Sequence, residues 1–241
     1  MPRSRSDGLA TRDRLLDAAE RLFATQGIQA TSLRMINDAA GAKNVSASHY
    51  HFGSKDGVIE ALVTRRMGEL AEERLEGIAA VEEHAGDGHP DLRAAVEAMV
   101  LPFLRTLLPP RAGHFAIFLA RAGGDPTVHI EQLAPPVFWR AVERFMIIVR
   151  RACPALPERV VAVRTRFLFQ QVLVAVVELE RIGRHPRGVD ARAIETVGRD
   201  LVDYVLGGLA APTSDPTPAE PIATPRRTAS RATRRAPARV R

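Results

Sequence analysis

The sequence contains very little cysteine and very little lysine. Cys153 is the only cysteine among 241 residues, which excludes an internal disulfide and a structural zinc site built from cysteines. Lys43 and Lys55 are the only lysines, so arginine carries almost all of the positive charge. No charge-free apolar run approaches the roughly 18 residues of a membrane span, and the N-terminus lacks the apolar stretch of a signal peptide. These absences predict a soluble, cytoplasmic protein that does not enter a membrane.

The motifs of common enzyme sites are also missing. The sequence contains no phosphate-binding glycine loop, no nucleophile elbow and no H-E-x-x-H motif. His84, Asp87 and His89 lie close together, but the absence of a fourth ligand indicates a solvated loop rather than a metal site. We therefore expect a protein without catalytic residues, metal or cofactor.

The formal net charge of +6 is unevenly distributed. Residues 1–55 hold eight Lys/Arg and five Asp/Glu, residues 56–210 hold 19 and 21, and residues 211–241 hold seven and two. The last stretch also has six prolines and few large apolar side chains, so its burial cannot offset the entropy cost of ordering it. The distribution predicts a basic N-terminal domain, a slightly acidic body and a disordered basic tail from about residue 211. The tail is either a solvated segment or an additional contact to nucleic acid.

The remainder of the chain has the hydrophobic spacing of α-helices and almost no strand signal. A first helix ends at Gly27, Thr31 is predicted to cap a second helix that stops at Gly41, and a short third helix follows. Further helices are predicted over residues 55–83, 92–108, 114–122, 136–153, 158–182 and 190–209. Ser54, Asp91 and Asp190 are predicted to cap the first, second and last of these helices, and Pro109–Pro110 to end the second. The fold class is therefore all-α.

Residues 31–52, TSLRMINDAAGAKNVSASHYHF, have the pattern of a helix-turn-helix. Its second helix is small and polar enough to enter a DNA major groove about 12 Å wide. Asparagine and histidine suit base edges, and serine, tyrosine and basic side chains suit phosphates. The residues that we expect to contact DNA on these grounds are Arg34, Lys43, Asn44, Ser46, Ser48, His49, Tyr50, His51 and Lys55.

The same region resembles the DNA-binding domain of the tetracycline-repressor (TetR) family. The shared features lie within residues 11–63: an A-A-x-x-L-F run, a G-x-x-x-T-S turn, an A-A-G stop and an aromatic-H-F-x-S-K close. The resemblance implies phosphate contacts by Thr31, Ser32, Tyr50 and Lys55. The stretch from Gly41 to Phe52 is one residue longer than is usual in the family, and His49 replaces its first aromatic residue.

The resemblance also implies a three-helix DNA-binding domain at residues 1–55 and a larger helical domain at 56–210 for effector binding and dimerisation. The helices at 158–182 and 190–209 would form the homodimer interface, and their apolar surfaces fit that role. Aromatic and methionine side chains suit the walls of an effector pocket, although each taken singly is more often ordinary core. The candidate pocket residues are Met99, Phe103, His114, Phe115, Phe118, Trp139, Phe145, Gln170 and Gln171.

Two functions remain open on this basis. The first is a dimeric repressor of transcription that binds an inverted-repeat operator and is released by a small, largely apolar effector. The second is a constitutive or nucleoid-type DNA-binding protein whose helical domain only dimerises. The aromatic-rich middle of the sequence favours the first, because a protein that only dimerises has no need of such residues.

Overall fold

The computed structural model describes residues 5–42, 44, 46–108, 114–123, 128–183 and 191–213. In these ranges the chain forms α-helices joined by turns and has no β-strand, which confirms the predicted all-α fold. The helices are α1 (Arg5–Gln26), α2 (Leu33–Ala39), α3 (Ala47–Phe52), α4 (Lys55–Ala85), α5 (Leu92–Arg105), α6 (His114–Ala122), α7 (Ile130–Leu133), α8 (Pro136–Ala152), α9 (Glu158–Gly183) and α10 (Ala191–Ala210).

Three of the helices begin at a side chain that caps them. Ser54 and Asp91 each accept a hydrogen bond from the backbone amide three residues later, both at 3.1 Å, as predicted for α4 and α5. At α2 the cap is Ser32, which accepts from the amide three residues later at 3.3 Å. The prediction that Thr31 caps α2 is wrong by one residue. The Thr31 hydroxyl is buried and donates instead to the Gly27 carbonyl, at 2.8 Å, in the turn after α1.

The 31-residue helix α4 belongs to both halves of the fold. Near its start, Val58 and Leu62 are fully buried in the region where α4 packs on α1 and α3. Further along, Leu70 and Ile78 are buried, and this part packs on α5, α7 and α8. Because the helix is uninterrupted, a tilt of α4 within the body would move α1 and α3 with it.

Ion pairs fasten α1 to α4. Arg65 contacts Asp17 at 2.7 Å, and the Nε atom of Arg66 donates to Glu20 Oε2 at 2.7 Å. Glu20 is only 4% exposed, so this second pair is shielded from solvent and salt more than a surface pair would be. Close to these pairs, the ring of Phe23 on α1 lies 5.7 Å from that of Phe118 on α6. The N-terminal helices are therefore joined to the body by both charged and aromatic contacts.

The body has two features that the sequence did not reveal. A short helix, α7, lies in the segment before α8, and α5 ends at Arg105 rather than at residue 108.

Arg164 on α9 donates hydrogen bonds to the carbonyls of Leu209, Ala211 and Pro212 at 2.5–3.4 Å. The chain is thus held as far as Pro212, just beyond the predicted start of the tail. The predicted stop at residues 109–110, the helix start at 190 and the tail from residue 214 lie outside the described residues.

Helix α9 carries an apolar stripe that this chain leaves exposed. Phe167 is 57% exposed, Val174 55% and Val177 47%, and their spacing places them on one side of the helix with Gln170. By length and composition alone, Glu158–Leu179 could cross a membrane, a test that core helices of soluble proteins also pass. Only 28% of its most apolar window is buried inside the chain. A large part of α9 therefore lacks an apolar partner within one subunit.

Candidate nucleic-acid interface

Two buried polar side chains fix the angle between α2 and α3. Asn37 on α2 is 2% exposed, and its Oδ1 accepts hydrogen bonds from the Ser48 amide at 2.9 Å and from the Ser48 hydroxyl at 2.7 Å. Ser48 itself is fully buried. Between the two helices, Gly41 has a φ of 62°, a conformation that glycine adopts without strain. The two helices are thus held together by specific hydrogen bonds as well as by apolar packing.

Helix α3 has an outer face, which is exposed to solvent, and an inner face, which packs against the rest of the helix-turn-helix. Ser46, His49 and Tyr50 lie at positions i, i+3 and i+4 and are all exposed, with Tyr50 at 83%. Asn44 is also exposed, and its Oδ1 accepts from the Ser46 amide at 2.9 Å, which orders the start of the helix. The outer face consists of small, polar or planar side chains. Such a surface can approach the edges of base pairs in a major groove.

Two of the residues predicted to contact DNA are buried, and a third is partly buried. Thr31 is 2% exposed and Ser48 is fully buried, so their side chains hold the motif together and do not reach its surface. His51 is half-buried on the inner side of α3 and lies in a groove that Arg12 and Phe52 also line. Partial burial, together with the nearby Arg12 charge, lowers the pKa of His51 and favours its neutral form. The predicted DNA contacts of Thr31 and Ser48 do not fit the structure, whereas that of His51 stays a prediction.

The basic residues that flank the motif differ in how free they are. Arg34 is exposed and makes a loose surface pair with Asp38 at 3.9 Å, which is a weak restraint. Lys55 is half-buried, and its Nζ donates to the Ile28 carbonyl at 3.0 Å, which ties the start of α4 to the turn after α1. Ser32 is exposed at the start of α2. Lys43 lies outside the described residues.

Comparison with known families agrees with this geometry. Residues 15–62 match the model of bacterial regulatory proteins of the tetR family, and residues 97–208 match that of the tetracyclin repressor-like C-terminal domain. The first match contains the whole helix-turn-helix, and the second contains most of the body. The chain belongs to the TetR family. Regulators of this family bind DNA and dimerise, which points to a DNA-binding regulator rather than an enzyme.

Individual relatives support the same assignment. The HTH-type transcriptional repressor KstR2 of Rhodococcus jostii (strain RHA1) is 36% identical over 89 residues, which are 37% of this chain. The match spans only 39% of that relative's length. The solved structure of the fatty acid degradation regulator FadR of Bacillus halodurans has a TM-score of 0.62 at 16% identity and covers 83% of this chain and 96% of its own. A TetR-family regulator from Rhodococcus sp. has a TM-score of 0.57 at 14% identity and covers 81% and 98%. At these identities the two structures support the fold alone.

Five of the nine residues predicted to line an effector pocket of this TetR-family chain lie in the interior of the described structure. Met99, Phe103, Phe115, Phe118 and Phe145 are all buried, and three of these rings form a continuous series with centroids 6.1–6.5 Å apart. A small, partly open recess beside Phe115 measures about 10 Å³, which is room for no more than one water molecule. In this structure the five side chains are packed core.

The remaining predicted pocket residues lie nearer the surface. Trp139 is 46% exposed and Gln170 is exposed on the outer stripe of α9, so Gln170 does not face the interior. His114 and Gln171 are half-buried. Arg74, which was not among the residues predicted from the sequence, is 4% exposed within the helical domain. Its spacing from Leu70 and Ile78, at i−4 and i+4 on the buried side of α4, was the available signal.

The Asn37–Ser48 hydrogen bonds lead to a testable prediction. Replacing Asn37 with alanine leaves the buried amide and hydroxyl of Ser48 without this acceptor, and we expect the free energy of unfolding to fall by about 2–3 kcal/mol. Urea denaturation followed by circular dichroism measures this change. The matched control is Asn44→Ala, because Asn44 also accepts from a backbone amide but is exposed to water. Equal losses in the two variants would show that the buried pair has no special role.

Proposed function

We propose that this chain is a transcriptional repressor that binds an inverted-repeat operator as a homodimer. The observation that carries the proposal is the outer face of α3, where Ser46, His49 and Tyr50 are exposed on a helix fixed from behind by the Asn37–Ser48 pair. A recognition helix needs both properties, because a rigid support sets the position from which polar side chains meet base edges. Repression rather than activation is supported by the relative named a transcriptional repressor.

The residues of the proposed interface divide into two groups. His49 and Asn44 offer groups that both donate and accept hydrogen bonds, so we assign them to base edges. Ser32, Arg34 and Tyr50 flank them and suit phosphates, which fix the position of the protein without reading sequence. The Lys55 ammonium group has further N–H donors for a phosphate while it donates to the Ile28 carbonyl. Ser46 lies at the N-terminal end of the exposed face of α3.

The proposed homodimer forms through α9 and α10. Beside the exposed stripe of Phe167, Val174 and Val177 on α9, helix α10 packs on α9 and carries Tyr204, which is 66% exposed. A second subunit related by two-fold symmetry would cover the same stripe on both chains. A dimer also presents two α3 helices, and two half-sites about 34 Å apart follow from one turn of DNA. The same pairing removes the apolar surface of α9 from water, in agreement with the predicted cytoplasmic location.

The proposed repressor is released by a small, largely apolar effector bound within the helical domain. The effector must bind more tightly to a form in which α4 is tilted than to the DNA-binding form, since equal affinity for both would shift nothing. The tightly packed interior is the observation that favours the alternative, a constitutive DNA-binding protein whose helical domain only dimerises.

The DNA-binding proposal predicts a discrete footprint. The purified dimer should protect an inverted repeat in the DNA next to its own gene. His49→Ala should lower the preference for that repeat over random DNA by about 1–3 kcal/mol per half-site, because a base contact is lost. Arg34→Ala should weaken binding to all DNA and reduce the salt slope by about one per subunit.

Arg140→Ala is the matched control, because Arg140 is an exposed arginine on α8. It should leave both the footprint and the salt slope unchanged. A protein that protects no discrete repeat, or that binds with a strength set by salt and indifferent to sequence, would contradict the repressor proposal.

The dimer proposal predicts the effect of a charge in the stripe. Val174→Arg should convert the dimer to a monomer in sedimentation equilibrium, because the guanidinium would be buried in an apolar contact without a partner. Operator binding should weaken as the dimer dissociates, since a single helix-turn-helix contacts too little DNA for tight specific binding. Ile147→Arg is the control: Ile147 is 41% exposed, but on α8. A Val174→Arg variant that remains dimeric would exclude this interface.

The effector proposal is tested with the single tryptophan. Trp139 packs edge-on against Phe138 with ring centroids 5.2 Å apart, so a compound entering beside Phe138 should change its fluorescence. The expected result of a ligand screen is a compound that both changes Trp139 emission and weakens operator binding. A screen in which no compound does both would favour the constitutive alternative.

A further inference from the structure

Arg74 is a charged side chain in the interior of the helical domain. It lies midway along α4, is 4% exposed, and its Nε donates to the Met99 carbonyl on α5 at 2.9 Å. Within the described part of the chain this is its one hydrogen bond, although a guanidinium has five N–H donors. Four of its donors are thus not used by the residues that the structure describes.

No carboxylate in the described ranges lies within ion-pair distance of Arg74. The acidic residue beside it, Glu73, contacts Arg105 on α5 at 3.5 Å. Glu82, two turns further along α4, is paired with Arg144 on α8. Burial lowers the pKa of Arg74 to about 10, and the nearby charge of Glu73 only partly opposes that effect. Arg74 therefore stays protonated at neutral pH, and the described residues give its buried positive charge no counter-ion.

Two aromatic rings partly compensate for the missing anion. The guanidinium carbon lies 5.5 Å from the ring centroid of Phe169 on α9 and 5.9 Å from that of Phe138 on α8. The two centroids are 5.5 Å apart. Such cation–π contacts stabilise a buried cation less than a hydrogen-bonded carboxylate does. The site is thus an apolar, aromatic environment around one positive charge.

A second buried polar group, the hydroxyl of Thr165 on α9, also lacks a hydrogen-bond partner within the described part of the chain. Thr165 is 2% exposed, and its hydroxyl makes no hydrogen bond. It precedes Phe169 by four residues, so the two side chains lie one above the other on the helix. A threonine in a helix usually donates to the carbonyl four residues earlier, which this one does not. An unpartnered hydroxyl and an unpaired guanidinium therefore border the same aromatic residue.

We propose that Arg74 and Thr165 form the polar end of the effector site and bind the carboxylate of a small apolar acid. The inference rests on the proposed effector response and adds the charge of the ligand. A guanidinium matches a carboxylate with two parallel hydrogen bonds, and a threonine hydroxyl can donate a third. The hydrocarbon part of the acid would lie against Phe138 and Phe169.

The packed interior is consistent with this role. In the present structure the two rings occupy the space beside the guanidinium, so a carboxylate has to move them. The acid would then stabilise a different arrangement of α8 and α9 around Arg74. Release from an operator requires an effector that binds one form of the protein preferentially, and the acid would bind this rearranged form preferentially. Arg74 lies on α4, the helix that connects the helical domain to the helix-turn-helix. A ligand bound to the Arg74 charge would therefore act directly on that helix.

A purely structural role for Arg74 is the competing explanation. Pro102 on α5 has no N–H group, so the carbonyl four residues earlier loses its helical partner, and the adjoining Met99 carbonyl is the one that Arg74 binds. On that view, Arg74 only fastens α4 to a distorted turn of α5. The two explanations differ in whether a negative charge on the ligand matters.

The test compares octanoate with 1-octanol, which share a chain length and differ in charge. Titrations of the full-length dimer at pH 7.5, followed by Trp139 fluorescence, should show octanoate binding about tenfold more tightly. Thr165→Val removes only the hydroxyl and should lower the octanoate affinity about threefold while leaving octanol unchanged. Arg74→Met should abolish the preference. Arg21→Met, at an exposed arginine on α1, is the control and should retain it.

Several outcomes would overturn the inference: equal affinity for the two compounds, no binding of octanoate, or a preference that Thr165→Val and Arg74→Met leave intact. If Arg74→Met does not fold, the wild-type comparison and Thr165→Val still decide. Operator binding is measured separately. A repressor released by neutral compounds but not by octanoate refutes only this inference, whereas octanoate binding without a discrete footprint refutes only the repressor proposal.

Discussion

Helix α4 is the element on which the rest of the structure depends, because it is packed at both ends by different parts of the chain. Its first turns hold α1 and α3, and its later turns hold α5 and α8. The ion pairs of Arg65 and Arg66 tie α1 to α4. Any rearrangement of the body that tilts α4 therefore alters the position of α3. Through α4, a change in the packing of the helical domain is thus coupled to the position of α3.

The molecule contains two buried polar centres with opposite character. At Asn37 and Ser48, donors and acceptors match, and the result is a rigid joint between α2 and α3. At Arg74 and Thr165, donors outnumber acceptors in the described chain, and a positive charge is left without an anion. A satisfied buried network stabilises one arrangement, whereas an unsatisfied one costs stability and retains capacity for a partner. The first centre holds α3 in one orientation against α2, and the second is the one from which the proposed acid site is argued.

Much of the fold follows from local sequence signals. The hydrophobic spacing places every long helix, and Ser54 and Asp91 mark two of the starts, because capping and helical periodicity depend only on neighbouring residues. The small helix α7 was not predicted, since four residues are too few to show a period. The helix-turn-helix was predicted for the same local reasons, from glycine at the turn and polar residues after it.

The sequence by itself determined the all-α class, the family and the segment that forms the helix-turn-helix. Only the tertiary structure decided which side chains of that segment are available. His49 and Ser48 are neighbours of similar polarity, but rotation by 100° per residue puts one outside and the other against Asn37. In the body, aromatic residues predicted as pocket walls became core, and Arg74, which composition would place in water, is buried. These outcomes depend on contacts between helices distant in sequence, which no local pattern contains.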